Sequence, residues 1–214
     1  MKIWCKNIYS LLFCCILFDC TLFADIKQNA SINKDSQAEN IQTCKCLSQE
    51  QQHLQSNKKL SQSTINFWNT LKDLLQSKNI KTFTKEINSY IKKFDIDNTN
   101  DCEKLCNFLN YQDKAGNSLL HFAVQIGDLQ CVQILLKNKI NINLQNQEGK
   151  TAILNAVEND YYEVMLELLR NGADLEKKSK QHNDVFTEAW ANPSSKCAAI
   201  MWKYNERLQK TNKM

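Results

Sequence analysis

Two stretches in the middle of the chain place apolar residues at steps of three and four, the spacing that gathers side chains on one face of an α-helix. The first stretch includes Ile65, Trp68, Leu71 and Leu75. The second runs through Ile80, Phe83, Ile87, Ile91 and Phe94. We predict a helical region over residues 63–109, with apolar faces that must pack against the segment that follows.

The first 24 residues have the three parts of a secretory signal peptide. Lys2 and Lys6 make a positive start, an apolar run follows over residues 8–18, and Ala24 is a small residue at the expected cleavage point. The run has 11 residues, whereas a helix that spans a bilayer needs about 20. We therefore expect cleavage and a secreted or periplasmic protein. The alternative is a membrane anchor through residues 8–23.

Residues 25–62 form a polar stretch rich in Gln, Asn, Ser and Lys, with only scattered apolar residues. Such a stretch cannot bury enough apolar surface to offset the entropy lost on ordering. The sequence predicts a flexible linker here.

The second half of the chain repeats itself with a constant period, the one that separates Gly116 from Gly149. The segment Asp113-Lys-Ala-Gly-Asn-Ser-Leu-Leu-His-Phe-Ala-Val is followed, one period later, by Asn146-Gln-Glu-Gly-Lys-Thr-Ala-Ile-Leu-Asn-Ala-Val. The apolar run at 131–136 recurs at 164–169. A further shift by the same period reaches Asp184-Val-Phe-Thr-Glu-Ala-Trp, in a third unit that has no Gly at the turn position.

This pattern resembles the ankyrin repeat, whose period is 33 and whose unit is a turn followed by two helices. The resemblance rests on the Gly turn, the helix start at Ser118-Leu-Leu-His121 and the Arg170-Asn-Gly-Ala-Asp174 ending. It is good over 111–176, continues to about 210 and is absent before 98. It implies an all-α ankyrin-repeat solenoid over 110–210, with repeats at 113–145 and 146–178, a degenerate one at 179–210, and a cap of N-terminal helices.

Several positions of the repeat have a predicted physical role. Gly116 and Gly149 allow the positive φ of a tight turn, and the hydroxyls of Ser118 and Thr151 can cap the first helix of each repeat. In the family, the histidine at the position of His121 makes hydrogen bonds between turns. About three units are needed to bury a continuous core, so the helices of 63–109 must close the front of the stack.

Composition narrows the possible functions. The chain has 4 Gly and 1 Pro, which disfavours turn-rich sheets, and its net charge of +4 comes from 27 basic and 23 acidic residues spread along the sequence. We therefore expect no nucleic-acid partner. The 3 His are scattered and there is no Gly-rich phosphate loop, so we predict no enzyme activity, catalytic residue, metal site, cofactor or small-molecule substrate.

The cysteines leave two interpretations open. Six of the 10 Cys follow residue 24, an even number that permits disulfides in an exported protein. Cys102 and Cys106 lie one helical turn apart. They either pack as small apolar residues, which we favour, or reach across to Cys44 and Cys46.

Ankyrin stacks bind proteins on a concave surface made by the turn tips and the first helix of each repeat, and the resemblance implies the same here. The positions expected at this surface are Lys114, Ala115, Asn117, Gln125, Ile126, Gln147, Glu148, Lys150, Glu158 and Asn159. Phe122 and Tyr161 are nearby aromatic candidates.

These features predict an exported protein-binding module, such as a microbial protein that engages a host protein. The first alternative is an envelope-associated structural scaffold or a protein that associates with itself. The second is an enzyme with a site in residues 63–109. A membrane association is expected only if the N-terminal segment stays uncleaved.

Overall fold

The computed structural model describes residues 60–95, 98–138 and 140–211. The predicted signal peptide and nearly all of the predicted linker lie outside these residues. Within the described part of the chain there are helices and turns but no strand, as expected for an all-α solenoid.

The helices are short, and several of them begin where a polar side chain caps the first turn. Ser61 accepts a hydrogen bond from the backbone of Thr64, and Asp128 and Asp184 each accept one from the residue three positions later. In chain order, the helices of the described residues are α1 Gln62–Gln76, α2 Ile80–Ile91, α3 Thr99–Leu109, α4 Leu119–Gln125, α5 Leu129–Lys137, α6 Ala152–Glu158, α7 Tyr162–Arg170, α8 Val185–Ala191 and α9 Lys196–Thr211.

Two parallel rows of helices make the stack. The inner row runs α1, α4, α6, α8, and each of these helices packs against the next. The outer row runs α2, α5, α7, α9 in the same way. Each inner helix also packs against the outer helix that follows it, so the units are antiparallel helix pairs stacked side by side. The solenoid predicted from the sequence is confirmed.

The N-terminal helices cover the front of the first repeat through aromatic side chains. Trp68 of α1 is fully buried, and its ring meets the ring edges of Tyr111 at 5.1 Å and Phe122 at 6.1 Å. Phe108 of α3 packs against Tyr90 of α2 with the two rings tilted and their centroids 4.2 Å apart. Trp68 joins α1 to the repeat, Phe108 joins α3 to α2, and α2 packs against α5. The three helices thus complete the core that the repeats cannot close alone.

The third unit keeps the turn although it lacks the glycine. His182 stands one period after Gly149 and adopts a φ of 64°, close to the 73° of that glycine. The turn bonds are retained, because His182 N–H donates to Ser179 O and Ser179 N–H donates to Asn183 O, both at 2.9 Å. The unit is degenerate in sequence but regular in backbone.

Cys102 is disulfide-bonded, so the packing role that we favoured for it is wrong. Cys131 and Cys197 are buried free thiols, and the pKa of each is raised to about 12, first by burial and then by the neighbouring Asp128 or Asp160 carboxylate. The pattern of one helix could not show this difference, because a disulfide depends on a partner elsewhere in the chain.

Candidate protein-binding surface

The turn of each repeat is built around one side chain at its first position. Asp113 Oδ1 accepts hydrogen bonds from the backbone of Ala115 and of Asn117, both at 2.9 Å. One period later Asn146 Oδ1 makes the same pair of bonds, at 2.9 and 3.0 Å. These bonds fix the shape of the tip without using the side chains of the tip itself.

The turn glycines have the positive φ that was predicted, 78° at Gly116 and 73° at Gly149. Each also lies against the next turn. A Cβ at Gly116 would stand 2.7 Å from Gln147 N, and one at Gly149 would stand 2.9 Å from Lys180 N. Glycine is therefore needed for the backbone angle and for the close stacking of the turns.

The three turns are joined into a ladder by their main chains. Gln147 N–H donates to Ala115 O at 2.9 Å, and Lys180 N–H donates to Glu148 O at 2.8 Å. The Gln147 side chain adds a bond to Lys114 O at 2.6 Å. The tips of successive units are thus held at a constant spacing, as one surface.

Four polar residues that the sequence analysis did not single out stabilise this ladder through side-chain hydrogen bonds between neighbouring units. The amides of Gln112 and Gln145 donate to backbone oxygens of the following turn, each at 2.9 Å. Asn110 and Asn143 accept bonds from the backbone of the next unit at 2.7 and 2.9 Å. The signal was present in the sequence, since the Asn-x-Gln pattern at Asn110 recurs one period later at Asn143.

His121 links two turns, as the resemblance implied. Its Nδ1 accepts from Ser118 N–H at 3.2 Å and lies 2.9 Å from Ser118 Oγ, so the other nitrogen carries the proton. Nε2 then donates to Lys150 O, in the next turn, at 3.1 Å. Burial lowers the pKa of His121, although the bond to Lys150 and the charge of Asp113 oppose the shift. The imidazole is therefore a neutral structural bridge.

The second repeat lacks the hydrogen bonds that His121 makes in the first. Leu154 replaces the histidine, and Thr151 Oγ1 is buried without a hydrogen-bond partner among the described residues. Thr151 precedes α6 but its side chain makes no capping bond. The predicted cap at Thr151 is wrong, because its hydroxyl accepts no backbone N–H at the start of α6. Leu154 also offers no counterpart to the imidazole that bonds Ser118.

The structure distributes the ten predicted binding residues over the tips and the ends of the inner helices. Three of them, Asn117, Ile126 and Lys150, are half-buried. The exposed ones are Lys114, Ala115, Gln125, Gln147, Glu148, Glu158 and Asn159. The third turn adds two exposed side chains that sequence reasoning missed, Lys180 and Gln181. We call this set the tip surface.

A small ion-pair cluster lies within the tip surface. Lys150 Nζ lies 2.8 Å from Glu158 Oε2, at the end of α6, and 3.4 Å from Glu148 Oε2, at the turn tip. Partial burial disfavours the charged amine, but the hydrogen bonds and charges of the two carboxylates outweigh it and raise the pKa of Lys150. The cluster joins tip to helix and carries a net negative charge.

Other members of the set are engaged in the fold. Asn117 Oδ1 accepts from the Asn146 side chain at 3.0 Å, and Asn159 Nδ2 donates to Asn155 O at 2.8 Å. Phe122, considered as an aromatic anchor, packs against Trp68 and is only 6% exposed, so it cannot serve a partner. The residues best placed for contact are the exposed polar ones at the tips.

Within the described ranges, no group of three or more His, Cys, Asp or Glu side chains could hold a metal ion. None of the helices in those ranges is long and apolar enough to cross a bilayer.

Stacked turn–helix–helix units with braced turns and exposed polar tips define a repeat scaffold, whose free surface is its tips and inner helices. Residues 87–179 match the family model of ankyrin repeats (3 copies). The match begins within α2, earlier than the resemblance found in the sequence. The chain therefore carries an ankyrin-repeat stack, and this repeat is a protein–protein interaction module.

Three curated relatives are similar to part of this chain. A BCL-6 corepressor-like protein 1 of Homo sapiens is 38% identical over 66 residues, 31% of this chain and 4% of that protein. A protein of Acanthamoeba polyphaga mimivirus named for its ankyrin repeats is 34% identical over 80 residues, 37% of this chain and 19% of its own length. A protein of Oryza sativa subsp. japonica named as an E3 ubiquitin-protein ligase is 34% identical over 61 residues, 28% and 12% of the two chains. This chain thus spans less than a fifth of each relative.

Proposed function

We propose that this chain is an exported protein that binds a partner protein through the tip surface. The observation that carries the proposal is the braced ladder of turns. The main chains of the tips are bonded to one another and to side chains behind them, while the side chains of Lys114 and Lys180 are exposed and Glu148 is exposed beside Lys150. Such a surface is ordered before binding, so association costs little conformational entropy.

Export is supported by two independent features. The first is the signal-like pattern of residues 1–24. The second is the disulfide at Cys102, since disulfides persist in secreted and periplasmic proteins and are rare in reducing compartments. A partner in another organism, such as a host protein engaged by a microbe, fits this combination.

The experiment for the partner uses the full chain and two matched variants, each with one Lys, one Gln, one Glu and one Asn changed to Ala. The tip variant changes Lys114, Gln125, Glu148 and Asn159. The control variant changes exposed residues of the outer helices, Lys137, Gln130, Glu163 and Asn171. Asn159 and Asn171 each donate to a carbonyl four residues earlier, so both variants lose a bond of this kind.

We expect the parent and the control variant to capture the same protein from a host-cell extract, and the tip variant to lose it while keeping its circular dichroism spectrum. Capture by the tip variant at parental affinity would exclude the tip surface. Loss by both variants would mean that the captured protein does not recognise the tips specifically.

Export is tested by the N-terminus of the protein recovered from its native host. Cleavage after Ala24 leaves Asp25 as the first residue of a protein outside the membrane fraction. An intact N-terminus in the membrane fraction would support the alternative, an envelope-associated scaffold anchored through residues 8–23. The ligase name of the rice relative is not carried over, because the match covers only 12% of that protein.

A further inference from the structure

Cys102 is disulfide-bonded, and its partner lies outside the described part of the chain. Cys131 and Cys197 are buried thiols. Cys106 lies one turn later on α3, where Cβ atoms are about 5–6 Å apart, whereas a disulfide needs Cβ atoms about 3.5–4.5 Å apart. The partner of Cys102 is therefore one of the cysteines that precede residue 60.

These earlier cysteines fall into two groups. Four of them lie in the predicted signal peptide, within a separate unit of residues 1–42. The other two, Cys44 and Cys46, follow Thr43, the residue at which the compact unit that contains α3 begins. Cys44 and Cys46 are thus the candidates that share a compact unit with Cys102.

We propose that the disulfide joins Cys102 to one cysteine of the Cys44-Lys-Cys46 motif and acts as a covalent clamp on the N-terminal helices. The bond forms when the two cysteines pass two electrons and two protons to a protein or small-molecule disulfide, which leaves as two thiols. The clamp goes beyond the proposed binding function and uses none of the residues of the tip surface.

The clamp would stabilise the front of the stack by closing a long loop. Either link closes a loop that contains the whole of α1 and α2 and ends near the start of α3. These are the helices that cover the first repeat. Because a closed loop restricts the unfolded chain, and restricts it more strongly when the loop is long, the bond favours the folded cap.

Within α3, the bond complements the aromatic packing. Phe108 holds the C-terminal end of the helix, with its ring centroid 5.9 Å from that of Phe67 and 4.2 Å from that of Tyr90. Cys102 lies six residues earlier, about 9 Å along the helix axis. The disulfide therefore fixes the end of α3 that lies away from these rings.

The burial of Cys102 indicates a structural bond. The residue is only 7% exposed, so a reductant reaches its sulfur only after the front of the stack opens locally. Labile and regulatory disulfides are typically the exposed ones. We therefore expect the bond to survive a mild reductant while the chain is folded.

Peptide mapping of the full chain without reduction identifies the partner, after thiols are blocked with iodoacetamide. Trypsin cleaves after lysine, so Lys45 separates the two cysteines of the motif, and Lys104 separates Cys102 from Cys106. We expect the peptide of residues 94–104, which carries Cys102, to be linked to one of the two peptides of the motif. The mass of the linked peptide shows which cysteine is bonded.

A link from Cys102 to a cysteine of residues 1–24 or to Cys106 would overturn the proposal. Recovery of the peptide of residues 94–104 with an alkylated thiol would equally overturn it. Either motif cysteine supports it, since both close a loop around α1 and α2.

Urea unfolding with and without the reductant tris(carboxyethyl)phosphine tests the clamp. We expect reduction to lower the midpoint of the parent by about 1–2 M. A variant with both Cys44→Ser and Cys46→Ser, which leaves Cys102 and the described helices unchanged, should unfold at the reduced parent's midpoint under both conditions. Cys106→Ser is the control, and its midpoint should fall on reduction as the parent's does.

A parent midpoint that is unchanged by reduction would overturn the clamp, and so would a double variant that still responds to the reductant. Both outcomes are independent of the partner-capture experiment, because neither variant changes a residue of the tip surface.

Discussion

The two helix starts at Ser118 and Thr151 make a natural pair for testing the contacts between repeats. Both hydroxyls are fully buried, yet only the first has a partner, the Nδ1 of His121. We predict that Thr151→Val stabilises the protein and that Ser118→Ala destabilises it. The opposite signs follow from the presence or absence of one imidazole.

The magnitudes follow from the cost of burying a hydroxyl. An unsatisfied buried polar group costs about 1–3 kcal/mol, and valine has nearly the shape of threonine without the hydroxyl. Thr151 makes no capping bond that valine would lose. We therefore expect Thr151→Val to raise the free energy of unfolding by about 1 kcal/mol. Ser118→Ala removes a satisfied bond at a helix start and should lower it by about 0.5–2 kcal/mol.

Urea unfolding of the full chain, followed by circular dichroism, measures both changes as shifts of the midpoint at an unchanged slope. A third variant, Leu154→His, supplies the missing imidazole. In that background, Thr151→Val should lose its benefit, which a double-mutant cycle detects as coupling between the two sites. If Thr151→Val instead destabilises the protein as much as Ser118→Ala does, the hydroxyl has a partner and the reasoning is refuted.

Four further predictions concern burial and the packing of the helices. The pKa of His121 is lowered below 6.5 by burial, so on acidification the unfolded chain binds a proton that the folded chain does not. The free energy of unfolding should therefore fall by up to about 1 kcal/mol from pH 7 to pH 5.5. A His121→Leu variant should flatten this decline in urea titrations, and an unchanged pH dependence would contradict the prediction. With thiol pKa values of about 12, Cys131 and Cys197 should resist iodoacetamide at pH 8 until urea unfolds the protein, and mass spectrometry of labelled peptides would reveal any native labelling. Trp68→Ala should lower the free energy of unfolding by about 3–5 kcal/mol, and Trp68→Phe should lower it clearly less. A fragment of residues 111–176 should lack a cooperative thermal melt, and a folded fragment would show that the N-terminal helices are dispensable.

Much of the fold could be predicted from the sequence because each repeat contacts mainly its neighbours. The constant period locates the turns, the paired helices and the role of His121 without knowledge of distant contacts. The turn glycines were found in the same way, since a positive φ is a local requirement. The bracing pairs Asn110/Asn143 and Gln112/Gln145 were equally visible, and were missed only because they lie outside the family motif.

The features that only the tertiary structure decides are those that depend on which neighbour a side chain contacts. The left-handed turn at His182 is held by stacking on the previous turn, where Lys180 N–H donates to Glu148 O, and no glycine marks it in the sequence. Phe122 is closed off by Trp68, 54 positions away, and Asp160 accepts a bond from the backbone of Cys197 at 2.9 Å, in the next unit. The period can place a residue within its unit, but burial and pairing follow from what packs on that unit, and the sequence of one repeat does not contain this information.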